Sequence, residues 1–138
     1  MTPRNTSTGA VLEAMVVPAL DRGGYTWRVQ VETGTRPGGR RHQVDAIAQK
    51  DGASVLVSLK WQQTSGTAEQ KVPFEVMCLA DAVRTKKADR AFLVLGGDGW
   101  TLRDFYTSGG LAEHLIHAGL VQVVTLEAFV RLANTGKL

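Results

Sequence analysis

The sequence predicts an α/β protein, a mixed sheet with helices packed on it. Three observations point there. Two strand-like runs, residues 42–49 and 53–61, are joined by an Asp51-Gly52 turn, the signature of a hairpin. Two longer stretches, 7–22 and 68–87, carry apolar residues at helical spacing. A short apolar run, 90–95, follows the second of these at once, so it lies parallel to the strand before it. At 138 residues the chain is expected to form one domain, 1–138, around one core.

Taken in order, the first helix shows Val11, Leu12, Met15, Val16 and Leu20 on one face, with Ser7 or Thr8 able to cap it. Pro18 within it should cost a backbone bond and kink it. Gly23-Gly24 ends it. Residues 25–32 alternate and are rich in aromatic and β-branched types, which makes a strand. A loop, Thr35–His42, leads to the hairpin strands, and three strands with short links suggest an antiparallel meander. In the helix at 68–87, Val72, Val76, Leu79 and Val83 share a face, and Pro73 falls in the early turns, where proline is better tolerated. The strand at 90–95, short helices at 102–106 and 111–117, a strand at 121–124 and a helix at 126–133 complete the order.

Composition excludes several classes. With 43% hydrophobic and 21% charged residues the chain reads as an ordinary soluble globular protein rather than a disordered one. No apolar run approaches the ~20 residues that span a bilayer. The start, Met1–Ser7, has no signal-peptide core, and a single cysteine, Cys78, rules out an internal disulfide and suits a reducing, cytoplasmic setting. The net charge of +3 permits a polyanionic partner without requiring one. The charge is clustered: Arg36, Arg40, Arg41 and His42 in one loop, Lys86, Lys87 and Arg90 in another.

Alternation along the hairpin puts Ser58 and Lys60 on one face with Leu56, and Val55, Val57 and Leu59 on the other, the better core face. Asp45 lies on the neighbouring strand, on the side of Ile47. A carboxylate and an ammonium can thus meet at a sheet edge. By spacing alone this is weak, since an exposed Asp and a solvated strand-end Lys are commonplace. The context is more specific: an Asp and a Lys on adjacent strands, after a helix bearing Glu13 and before an amphipathic helix.

That order resembles the core of the PD-(D/E)XK nuclease superfamily. The segment Lys60-Trp61-Gln62-Gln63-Thr64-Ser65-Gly66-Thr67-Ala68-Glu69-Gln70-Lys71-Val72-Pro73-Phe74-Glu75 is similar to the stretch after the catalytic lysine in small stand-alone members, and 96–106 with Gly109-Gly110 extend the likeness. The resemblance implies a restriction-endonuclease-like αβββαβ core and a divalent-metal DNA endonuclease. Phosphodiester hydrolysis needs an activated water and neutralised charge at phosphorus. Mg²⁺, or Mn²⁺ in its place, supplies both through oxygen ligands. The implied ligands are Asp45, Glu75 and Leu59, with Lys60 at the attacking water.

The chain departs from the family at Ser58, where a second acid is expected two residues before the lysine. Three explanations stand open. A carboxylate has migrated to the following helix, with Glu75, fifteen residues after Lys60, the first candidate and Glu69 the reserve. Or cleavage is lost and DNA binding kept. Or the enzyme has been silenced by replacement. A solvated Glu75 paired with Lys71 is the plain alternative. Glu13 is a candidate supporting acid, and Gln62 a contact to phosphate or the site rim. Arg36, Arg40, Arg41, His42, Lys86 and Lys87 are expected to hold DNA phosphates. A homodimer is expected, because one metal site cuts one strand. Cys78 reads as a buried apolar residue, Trp61 and Trp100 as core or rim packing, and His114 with His117 as too few ligands for zinc.

Overall fold

A computed structural model describes residues 6–138; the expectation for Met1–Asn5 lies outside them. The chain order is α1 (Thr6–Val11), a π-helical turn (Leu12–Val16), α2 (Val17–Arg22), β1 (Thr26–Thr35), β2 (Arg41–Lys50), β3 (Ala53–Trp61), α3 (Ala68–Arg84), β4 (Arg90–Gly96), α4 (Arg103–Thr107), 3₁₀ turns at Gly110–Glu113 and Ala118–Leu120, β5 (Val121–Thr125) and α5 (Leu126–Asn134). The five strands lie side by side in chain order. β1, β2 and β3 are antiparallel neighbours, while β4 is parallel to β3 and β5 to β4. This is the mixed sheet and αβββαβ order expected.

Both sheet faces are covered. Leu12, Val16, Leu20, Ala46, Ala48, Val55, Val57, Leu59, Phe92, Val94 and Phe129 pack on one side, with the first helical segment and α5. Val44, Ile47, Leu56, Val72, Val76, Leu79, Leu93 and Leu95 pack on the other, under α3. Contrary to expectation, β3 has no poorer core face: Leu56 is as buried as Val57. A central strand of a mixed sheet is sandwiched by helices on both sides, so its buried run is nearly continuous.

Two prolines are accommodated locally. The turn before Pro18 widens to a π-helical turn, and Pro18 then sits in the first positions of α2, where a missing N–H is tolerated. Pro73 cannot bond the Glu69 carbonyl one turn back, and the Tyr106 hydroxyl donates to that carbonyl instead, at 2.7 Å.

Some boundaries differ from expectation. β1 runs on to Thr35, and the loop shrinks to residues 36–40, placing Arg41 and His42 in β2. α3 stops at Arg84, and Lys86 turns the chain with φ +69°. The helix expected at 111–117 is only a 3₁₀ turn followed by further turns, with His117 at φ +67°. Gly97 is required as glycine: its φ is +92°, and a Cβ there would lie 2.4 Å from the Gln62 carbonyl oxygen. Among the described residues no helix is long and apolar enough to cross a membrane.

Candidate active site

β2 and β3 part company at Asp45. Their register runs from Lys50↔Ala53 to Ala46↔Val57 and stops. The next β3 amide facing β2, Leu59 N–H, donates to the Asp45 carboxylate at 2.6 Å. The β1–β2 ladder is disturbed at the same level. It passes from Val29↔Ala46 to Val31↔Val44, and Gln30 between them adopts φ +52°. Strict alternation would put His42 and Val44 on the face opposite Asp45 and Ile47. Here His42 lines the same cleft as Asp45, and Val44 and Ile47 share the α3-side core. The strand rolls over at residues 44–45, as an irregularity in a ladder allows.

The gap so opened is a cleft of about 400 Å³ between the strand ends and α3. Asp45, Ser58, Lys60 and the Leu59 main chain come from the sheet, Lys71 and Glu75 from α3, Arg36 from the hairpin loop and Thr8 from the first helix. Ser58 is buried at its floor. Glu75 is not a solvated helix residue paired with Lys71. It is 8% exposed, and its Oε2 lies 3.1 Å from Nε2 of His42, itself 2% exposed. Burial raises the pKa of Asp45 above its ordinary 3.8. The Leu59 N–H and Lys60 pull it back, and the nearby Glu75 carboxylate adds to the rise.

Several sequence expectations fall elsewhere. Glu13 is exposed on the π-helical turn and does not line the cleft, because its neighbour Leu12 takes the sheet-facing position. Gln62 is buried and donates to the Gly99 carbonyl at 2.8 Å, tying the end of β3 to the glycine turn rather than reaching phosphate. His42 does not lie in the loop; it is enclosed in the cleft wall by Glu75 and by Thr33, whose hydroxyl is 3.3 Å from Nδ1. Glu69, the reserve acid, is committed at the start of α4. It accepts from the Thr101 hydroxyl and the Thr101 and Leu102 amides, which hold its carboxyl below the usual range. Trp100 is buried and donates to the Gly96 carbonyl, so it is a core residue. Burial also pushes the Cys78 thiol up to about 11.

The two basic clusters, far apart in sequence, meet beside the cleft. Lys87 Nζ donates to the Thr35 carbonyl at 3.1 Å, joining the turn after α3 to the loop end of the β1–β2 hairpin. Arg36 lies over the Phe74 ring, 5.2 Å from its centre, and reaches the cleft. Arg40 and Lys86 are exposed, and Arg41 pairs loosely with Glu32 at 3.6 Å. Lys71 and Thr8 were not anticipated at the site. Lys71 stands one helical turn before Glu75, a spacing the sequence does display.

Asp45 and Glu75 offer carboxylate oxygens, and the Leu59 main chain faces the same gap. In an antiparallel ladder a residue's N–H and C=O point to the same neighbour. Hard oxygen donors of this kind suit Mg²⁺ or Mn²⁺, which bind one or two carboxylates and complete their shell with water and phosphate. Among the described residues no three His, Cys, Asp or Glu side chains form an all-protein metal cage. The donor set thus fits an ion shared with substrate rather than a structural zinc.

Fold and cleft together define a nuclease-type α/β domain, and comparison with known proteins agrees. Residues 4–137 match the PD-(D/E)XK nuclease superfamily domain, and the chain belongs to that superfamily. Members generally use divalent metal ions. Among solved structures, the crystal structure of a protein of unknown function, AF1548, matches with a TM-score of 0.50 and 10% identity, over 80% of this chain and 54% of that one. That likeness speaks to the fold alone, and this chain spans about half of that protein's length. No curated protein matches the sequence.

Proposed function

We propose that this chain, folded as one domain, is a divalent-metal-dependent DNA endonuclease that works with Mg²⁺ or Mn²⁺, with Asp45, Glu75 and the Leu59 main chain holding the cation. The observation that carries the reading is Glu75: a buried carboxylate on α3, in the same cleft as Asp45, where Ser58 leaves the strand without its acid. The cation supplies charge neutralisation at the scissile phosphate and acidifies water. The chain supplies the rest. The Leu59 amide fixes Asp45. Lys60, half-buried beside Asp45, orients the attacking water or offsets charge developing on phosphorus. Arg36 and Lys71 at the cleft, with Arg40, Lys86 and Lys87 outside it, hold phosphates along the strand. One cleft cuts one strand, and a two-fold dimer would supply the second cut.

Nicking of supercoiled plasmid tests this. Wild type should nick with Mg²⁺ or Mn²⁺ and not with EDTA, and Glu75→Gln should lose ~10³-fold, about 4 kcal/mol of transition-state stabilisation. Ser58 favours a second reading, a nuclease fold that binds DNA without cutting. Salt-sensitive binding with no nicking at any metal concentration would establish that reading instead.

A further inference from the structure

We propose that His42 is a positioning residue that holds Glu75 in its metal-binding orientation, a role that rests on Glu75 being a ligand. A free glutamate side chain has three rotatable bonds, and ordering it for a cation costs entropy. Here the ordering is done in advance. His42 is 2% exposed in β2, and its Nε2 lies 3.1 Å from Oε2 of Glu75 across the sheet–helix gap. On its other side Nδ1 lies 3.3 Å from the Thr33 hydroxyl, which also reaches the His42 carbonyl at 3.2 Å. Thr33 on β1, His42 on β2 and Glu75 on α3 thus form a chain through three elements. With Glu75 ionised, Nε2 must carry the hydrogen, whichever way the Thr33 hydroxyl turns. The bond takes one carboxylate oxygen, and no described residue hydrogen-bonds the other. An imidazole N–H behind a ligating carboxylate sets its orientation, and removing such a partner typically weakens metal binding 10–100-fold. On a family site with both acids on strands, the backbone aims them. An acid moved to a helix needs a separate support, and His42 provides it.

The test is Mn²⁺ binding to the intact protein without DNA, by calorimetry, for four variants whose folding is checked by thermal unfolding. Glu75→Gln sets the full loss. His42→Leu and His42→Asn, which cannot reach Glu75, should weaken Mn²⁺ binding on the order of 10–100-fold. His42→Gln places an amide N–H near the Nε2 position and should restore most of it. If His42→Leu and His42→Asn bind as wild type while Glu75→Gln does not, the role of His42 is overturned and the site stands. If Glu75→Gln binds as wild type, the ligand reading falls and this role with it. An observation on the wild type guards against unfolded variants. The His42 Nε2–H resonance should shift on Mg²⁺ titration and saturate with the site, and a resonance that stays still overturns the proposal.

Discussion

Replacing Asp45 by Asn should make the metal-free protein more stable while destroying its response to metal. Burial is the largest influence on Asp45 and raises its pKa, and the Glu75 carboxylate adds to this. The Leu59 N–H and Lys60 only partly compensate. A raised pKa means that the folded protein holds the proton more tightly than the unfolded chain does. Ionisation therefore costs folding free energy. The cost is absent below about 3.8 and is fully present once pH has risen through the folded pKa. Asn keeps an oxygen for the Leu59 amide and drops the charge. Relief of this kind is worth roughly 0.5–2 kcal/mol, each kcal/mol being about 3–5 °C in Tm for a domain of this size. A cation at about 100 times its Kd should stabilise the wild type by ~2.7 kcal/mol and Asp45→Asn hardly at all. The two proteins should therefore change order: the variant melts higher in EDTA, the wild type in saturating Mn²⁺. Thermal and urea unfolding followed by circular dichroism, at about pH 7, reads both effects, and the EDTA gap should close as pH falls through the folded pKa of Asp45 toward 3.8. A variant less stable in EDTA, or one that gains from Mn²⁺ as the wild type does, refutes the electrostatic account of this cleft.

Other outcomes follow from the same geometry. If Glu75 replaces the acid missing at Ser58, adding Ser58→Glu to Glu75→Gln should recover part of the ~10³-fold loss, and Ser58→Glu alone should leave plasmid nicking unchanged or raised; a double variant as inactive as Glu75→Gln argues against a shared position. Lys86→Ala with Lys87→Ala should weaken duplex binding and flatten its log–log salt dependence by ~0.9 for each phosphate no longer neutralised, measured by fluorescence anisotropy. Cys78, buried with its thiol pushed up to about 11, should resist thiol reagents at neutral pH and react only as the protein unfolds; fast labelling of the folded protein would contradict the packing under α3.

The fold was legible because local pattern and tertiary demand agree. The Asp51-Gly52 turn, the helical stripe Val72-Val76-Leu79-Val83 and the apolar run after it each specify one element, and the strand order follows from short links. Asp45, Lys60 and Glu75 were legible for a related reason. Lys60 and Glu75 sit at regular positions of those elements, alternation puts Asp45 on the side of Ile47, and the structure brings all three to one cleft. Where the reading failed, a non-local partner decides. Nothing near Gln62 in sequence announces that the Gly96–Gly99 turn will take both its amide and its side chain. Glu69 shares a helix with Glu75 and comes within one turn of the same stripe, yet Thr101 before α4, 32 residues on, captures it. Glu13 sits on a helix whose phase is shifted by a π-helical turn that a 100° projection does not contain.

His42 shows the limit most clearly. In sequence it is the last member of an arginine-rich run, and alternation assigns it to the face opposite Asp45. The roll of β2 at residues 44–45, opposite the left-handed Gln30, reverses that assignment and makes a residue of the basic run a buried partner of Glu75. Deviations of this sort gather at functional sites, where a ladder must open to admit a ligand. The main-chain pairing of β2 with β3 ends just before Asp45, whose carboxylate takes the Leu59 N–H, and at the same level β2 turns His42 toward α3. A strand kept regular through residues 42–46 would leave Asp45 on the Ile47 side and turn His42 to the opposite face, so the support of Glu75 depends on this irregularity.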